Sequence, residues 1–140
     1  MNLATADAII EKILQQGAAR KSPPLTISVV DRAGAVTALK RQDGSPPARA
    51  DLATGKARTA LHWGRSSRSY GKLCDERPNF GRAVSDLAPT PYVPVAGGVA
   101  IKDNTGTVIG AVGVSGDTSD NDESIAAAAL AELGFSAVLE

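Results

Sequence analysis

A chain of 140 residues, 43% apolar and 21% charged, is long enough to build one core and too short for two substantial domains. Fifteen basic residues balance fifteen acidic ones, so no surplus of Lys and Arg exists to concentrate nucleic acid or an anionic membrane surface, and neither is expected as a partner. A single cysteine excludes an intrachain disulfide, and no stretch approaches the roughly 18 uninterrupted apolar residues of a spanning helix.

The opening residues, Met1 to Asp7, have neither a basic segment nor a long apolar run. They do not read as a secretory signal, and a cytoplasmic chain is expected. Leu3, Ala6, Ile10, Ile13, Leu14 and Gly17 then recur at three- and four-residue spacing, which predicts a helix with Thr5 as its cap. Leu25 to Val30 alternates and is β-branched, Asp31-Arg32-Ala33-Gly34 is a turn, and Ala35 to Arg41 returns, so an antiparallel hairpin is predicted. Asp43-Gly44-Ser45-Pro46-Pro47 is a loop.

A second helix is predicted from about Ala48 to Trp63, with Ala53, Ala57, Ala60, Leu61 and Gly64 on its buried stripe. So many small residues allow a partner surface to approach closely. Residues 65 to 92 read as irregular, with short helical turns around Arg68–Cys74 and Arg82–Leu87, the kind of segment that often carries a ligand. Gly97 to Ile101 and Thr107 to Ser115 read as strands joined by Asn104-Thr105-Gly106, the second apolar on both faces and so central in the sheet. Ile125, Ala126, Ala129, Leu130 and Leu133 mark a closing helix, with Ser119/Asp122 or Asp120/Glu123 as its capping pair. The order implies an α+β fold, an antiparallel sheet with helices against it, in one domain over residues 1–140.

Four familiar patterns fail on inspection. A phosphate-binding loop ending at Gly55-Lys56 would need Gly at 50 and Ser or Thr at 57, and both are Ala. Gly110, Gly113 and Gly116 lie within a strand rather than opening a helix after one. Gly113-Val114-Ser115-Gly116-Asp117 lacks the last glycine of a nucleophile elbow, and one histidine with one cysteine cannot build a zinc site.

What is left is a short set of candidates. His62 is the only imidazole, and it falls opposite the apolar stripe of its helix; it faces solvent or a subunit interface, or it ligates iron. Arg41 and Asp43 set opposite charges at a strand end, where they can pair with each other or hold an anion, or Asp43-Gly44 simply makes the turn. Asp122 and Glu123 cap a helix or, with Lys56, serve as acid–base groups. Gly97 and Gly98 let a ligand or another backbone come close. Tyr70 and Cys74 are packing residues or alternative iron ligands.

Ile27-Ser28-Val29-Val30-Asp31-x-x-Gly34, Arg41-x-Asp43-Gly44 and Lys56-Ala57-x-Thr59-Ala60 resemble the GlcG/HbpS family. So do Pro94-Val95-x-Gly97-Gly98-Val99-x-Ile101, the run from Val108 to Gly116, and Asp122-Glu123. The resemblance covers about residues 3 to 133 and extends to the C-terminal domain of PduO-type proteins. It implies a profilin-like α/β/α sandwich with a central antiparallel sheet, assembled into homo-oligomers, in a family that includes haem-binding sensors. Relatives carry small or apolar residues where His62 stands, so the resemblance supplies no haem ligand here. Ala100 replaces a common proline.

These readings predict a cytoplasmic, oligomeric small-ligand-binding protein, with haem or a related tetrapyrrole as the named candidate. Its site is expected between the Gly97-Gly98 strand, residues 65–92 and the second helix, with Tyr70 nearby, Asp43 and Arg41 on an anionic group such as a propionate, and His62 on the iron. The alternatives are an enzyme of small organic-acid or aromatic catabolism using Lys56 with Asp122 or Glu123, and a ligand-free accessory subunit. A space beside Gly97-Gly98 that is solidly filled in the assembled particle would count against the binding-protein reading, though not against the fold.

Overall fold

The computed structural model describes all 140 residues and places ten elements in the chain. They are α1 (Leu3–Ala19), β1 (Thr26–Val30), β2 (Val36–Arg41), α2 (Ala48–Trp63), α3 (Ser67–Glu76), α4 (Pro78–Leu87), β3 (Gly98–Lys102), β4 (Val108–Ser115), α5 (Ser119–Glu132) and β5 (Ser136–Val138). The strands form one sheet in the order β2-β1-β4-β3-β5, and every neighbouring pair runs antiparallel. Helices cover both faces, which is the α+β sandwich that the alternating elements predict. No helix is long and apolar enough to cross a membrane.

The two faces of the sheet differ in chemistry. Ile27, Val29, Val99, Ile101, Val112 and Val114 point one way and pack on Ile9, Ile10 and Ile13 of α1 and on Ile125, Ala129 and Leu130 of α5. This is the main core. Thr26, Ser28, Ala100, Ala111, Gly113 and Ser115 alternate with them and point the other way, where α2 lies. There the side chains are small, so the helix sinks onto the strands. A Cβ on Gly113 would fall 1.9 Å from the Ala53 carbonyl oxygen, and one on Gly98 would fall 2.0 Å from that of Lys56. Thr54 donates to Ser28 Oγ at 2.9 Å, which ties the same interface with polar contacts.

The helix ends differ in detail from the expected ones. Asn2, not Thr5, caps α1: its Oδ1 accepts from Thr5 N at 2.8 Å. Thr118 caps α5 by accepting from Asn121 N, while Asp120 and Asp122 lie in the first turn and complement the helix dipole. Gly64, assigned to the apolar stripe of α2, is its left-handed cap (φ 73°). The segment read as irregular holds two full helices, α3 and α4, and β5 was not foreseen at all. Three residues are too few for a pattern to show.

Candidate functional site

Sinking α2 onto small residues carries Lys56 into the interior. Its ammonium donates to the Val114 carbonyl at 2.9 Å and to Asp122 Oδ2 at 3.0 Å, with the two side chains 3% and 1% exposed. The other Asp122 oxygen accepts from Asp117 N. Burial drives both groups toward neutrality, holding the Lys56 ammonium below its ordinary range and lifting the Asp122 carboxyl above its own. Beside them, Glu123 Oε2 accepts from Arg68, which also pairs with Asp120, while Glu123 Oε1 is shut from solvent without a partner. The three residues considered as acid–base groups are thus gathered in one place, but none of them lines any of the five clefts on the surface.

Gly97 and Gly98 border no hollow within this chain. A Cβ on Gly97 would sit 2.7 Å from Lys56 Nζ, and Gly98 receives the backbone of α2 itself. The close approach is made by a helix, not by a guest. Packing supplies the reason: the main chain of α2 can hydrogen-bond internally and still lie flat on strands that carry no side chain there.

Arg41 and Asp43 are exposed at the far end of the hairpin and form no ion pair with each other. Arg41 donates to the Ser45 carbonyl. Both line a broad cleft of about 550 Å³ with Lys40, Gln42, Pro24, Ser22 and Leu14. His62 stands at the opposite end of the hairpin, beside Gly34 in its turn. The five steps from Val36 to Arg41 separate those ends by about 17 Å. One small guest bound at His62 within this chain is therefore not also held by Arg41.

Tyr70 is 1% exposed and donates to the Gly81 carbonyl at 2.6 Å, so its phenol is already committed. It forms the floor of a cleft of about 320 Å³ between α3 and α4, with Cys74, Arg82 and Tyr92.

A further cleft was not anticipated. Asp51, Leu52, Gly55 and Arg58 follow one another at helical spacing on the outward face of α2, and Thr90, Pro91 and Val93 form the opposite wall. The cleft holds about 300 Å³. Gly55 lets Val93 lie against the helix, since a Cβ there would fall 2.5 Å from Val93 Cγ2. Thr59 pins the wall by accepting from Val93 N at 2.8 Å. Arg58 commits its Nε to the Gly34 carbonyl, and Thr90 Oγ1 is buried on the wall with no hydrogen-bond partner. The same face of α2 ends at His62, whose ring stands 5.9 Å from that of Tyr92. Partial burial and the neighbouring Arg58 hold His62 below its ordinary pKa, so the imidazole is neutral at pH 7 and keeps a free lone pair. The sequence marks His62, and Arg58 only as part of a basic patch with Arg65 and Arg68; nothing local marks Thr90, while the helical spacing 51, 55, 58, 62 is the signal that joins Arg58 to His62. No group of three or more His, Cys, Asp or Glu side chains comes together to hold a metal ion.

A small-residue sheet face under a sunken helix, with helices on both sides of one antiparallel sheet, defines an α+β protein with an α/β/α layering. The comparisons give the family. The profile described as "Haem degrading protein HbpS-like" matches residues 1–131, and the chain belongs to this HbpS-like family. Over 101 residues it is 37% identical to Protein GlcG of Escherichia coli K12, covering 72% of this chain and 71% of that protein. The crystal structure of a PduOC–haem complex superposes with a TM-score of 0.85, covering 100% of this chain and 99% of that one, at 20% identity, a likeness of fold. HbpS of Streptomyces reticuli, crystallised as a double mutant, gives a TM-score of 0.82 at 27% identity, covering 96% and 87%.

Proposed function

We propose that this chain binds a small carboxylate-bearing organic ligand in the groove along α2, with haem or a related tetrapyrrole as the named candidate. The observation that carries the reading is the cleft on the outward face of α2, where Arg58 stands opposite Thr90, a residue whose buried hydroxyl has no partner within the chain. A buried hydroxyl without a partner carries a desolvation penalty of about 1–3 kcal/mol, which a ligand oxygen would relieve once the Thr90 side chain turns its hydroxyl into the cleft. Arg58 has guanidinium nitrogens beyond its Nε to pair with the same carboxylate.

The residues present fit haem. His62, one helical turn beyond the cleft, would offer a neutral nitrogen to iron, Arg58 within the cleft suits a propionate, and Leu52, Pro91 and Val93 offer apolar surface. Haem held there would supply the ligand-exchange and redox chemistry of its iron. The protein's own part is to orient the guest by its carboxylate and to shield one face of it. The family membership and the haem-complex fold neighbour support this choice of ligand.

A cleft of about 300 Å³ stands at the small end of ligand sites. A tetrapyrrole would overhang it, so a second subunit is needed to cover the outer face. The reading therefore includes a homo-oligomer, and a cytoplasmic one.

Haemin titration tests the proposal. The purified protein is expected to give a saturable Soret change at stoichiometric haemin, with a shifted, weaker band in His62→Ala and looser binding in Arg58→Ala. Sedimentation velocity should show an assembly larger than 14.3 kDa. Absence of any specific spectral change at stoichiometric haemin overturns the haem assignment.

A further inference from the structure

The chain is sparing with rings: one tryptophan, two tyrosines, two phenylalanines and one histidine. All but the two phenylalanines stand in a single line. His62 lies 5.9 Å from Tyr92, Tyr92 lies 5.2 Å from Tyr70, and Tyr70 lies 5.6 Å from Trp63, centre to centre. Three segments meet to build it: the end of α2, α3, and the stretch before β3, with Trp63 adjacent in sequence to His62 yet at the other end of the run. The line starts at His62, one turn beyond Arg58 in the last turn of α2, and ends at Trp63, which lines a separate cleft with Arg65, Lys72 and Leu73.

We infer that Tyr92, Tyr70 and Trp63 form a one-electron conduit between the neighbourhood of His62, where Tyr92 lies, and the surface at Trp63. Tyrosine and tryptophan are the two side chains most readily oxidised by one electron through neutral radicals, and adjoining rings exchange electrons far faster than rings separated by solvent or aliphatic packing. The burial pattern suits the task. Tyr70, in the middle, is closed off and gives its only proton to the Gly81 carbonyl, which is no base, so a radical does not rest there. Tyr92 and Trp63, at the ends, are half-buried and reach solvent.

A one-electron oxidant, such as a nitrogen- or oxygen-centred radical, takes an electron from Trp63, and the indole N–H proton, donated to Ser69 Oγ at 3.2 Å, passes by way of that hydroxyl to solvent. Tyr92 then supplies an electron through Tyr70 to the indolyl radical. The indole regains a proton from solvent, and the Tyr92 phenol releases one to solvent. The net change moves one oxidising equivalent from Trp63 to Tyr92. The transfer stands independently of any guest; its use by a redox-active guest beside His62 rests on the function proposed above.

Pulse radiolysis with azide radical reads the step directly, because Trp63 is the only source of an indolyl signal. In the wild-type protein the indolyl band should decay as the phenoxyl band rises, with one first-order rate that does not change with protein concentration. Tyr70→Phe keeps a ring in the packing but removes the redox group, and should lose this unimolecular phase. Tyr92→Phe should lose the long-lived phenoxyl product while keeping Tyr70. Circular dichroism checks that both variants fold. Purely concentration-dependent decay in the wild type overturns the inference, and so does transfer in Tyr70→Phe at the wild-type rate.

Discussion

Lys56 and Asp122 meet at 3.0 Å in the interior, joining the middle of α2 to the first turn of α5 across the end of β4. Both side chains are closed off from solvent, and each relies on the other for its charge. Removing one should therefore cost about 3–5 kcal/mol, because the survivor is left charged and unpaired. Lys56→Met and Asp122→Leu should each show this loss in urea unfolding, whereas the double variant should recover most of it. Equal losses in the single and double variants would mean that the two do not act as a pair.

The fit of α2 to the sheet can be tested at its glycines. Gly113→Ala sets a methyl against the Ala53 carbonyl, a backbone atom that cannot step aside, and should cost about 1–3 kcal/mol or more by overpacking. Gly106→Ala is the control: its turn has φ +81° but open space around it, so the cost should be limited to about 1–2 kcal/mol of backbone strain. Thermal unfolding of the two variants separates crowding from strain.

His62 provides a pH signature. Its pKa is depressed in the folded chain by burial first and by Arg58 second. A depressed folded value means that the contribution to stability is complete above the ordinary value of 6.5 and is lost as pH falls through the folded value. As the only imidazole, it gives an unambiguous NMR titration, with a midpoint expected below 6.5. His62→Gln should flatten the fall in stability on the acid side.

Thr90 separates a ligand-binding hydroxyl from a packing one. Thr90→Val removes an atom that has no partner in the chain, so unfolding stability should hold or rise by about 1 kcal/mol. Haemin affinity should fall in the same variant. A drop in stability without a change in affinity would give the hydroxyl a structural role instead.

Much of the fold was legible because it rests on local periodicity. The β1–β2 hairpin, the β3–β4 pair, the limits of α2 and the closing helix all follow from alternation, turn residues and three-to-four spacing. The family resemblance rested on those same blocks. Capping was less legible, since Asn2, Thr5, Thr118 and Ser119 all have the right chemistry and only the backbone path selects among them. The site was the least legible part. Gly97 and Gly98 signal that something comes close, but a helix and a ligand demand the same bare backbone. Lys56, Asp122 and Glu123 were named without any sign that they would be enclosed together. Arg58 and Thr90 are joined only by the segment before β3 folding back on α2, a contact across 32 positions that no local pattern encodes.

The bare strands beneath α2 also govern how such a protein can change over time. Positions 98 and 113 have no room for a side chain, so novelty cannot enter from the inner side of the helix without prising two layers apart. The outward positions 51, 52, 55, 58 and 62 carry no such restriction except where Gly55 meets Val93. A lineage that keeps this inner seam can rewrite the outer row residue by residue, acquiring new guests while its architecture stays still.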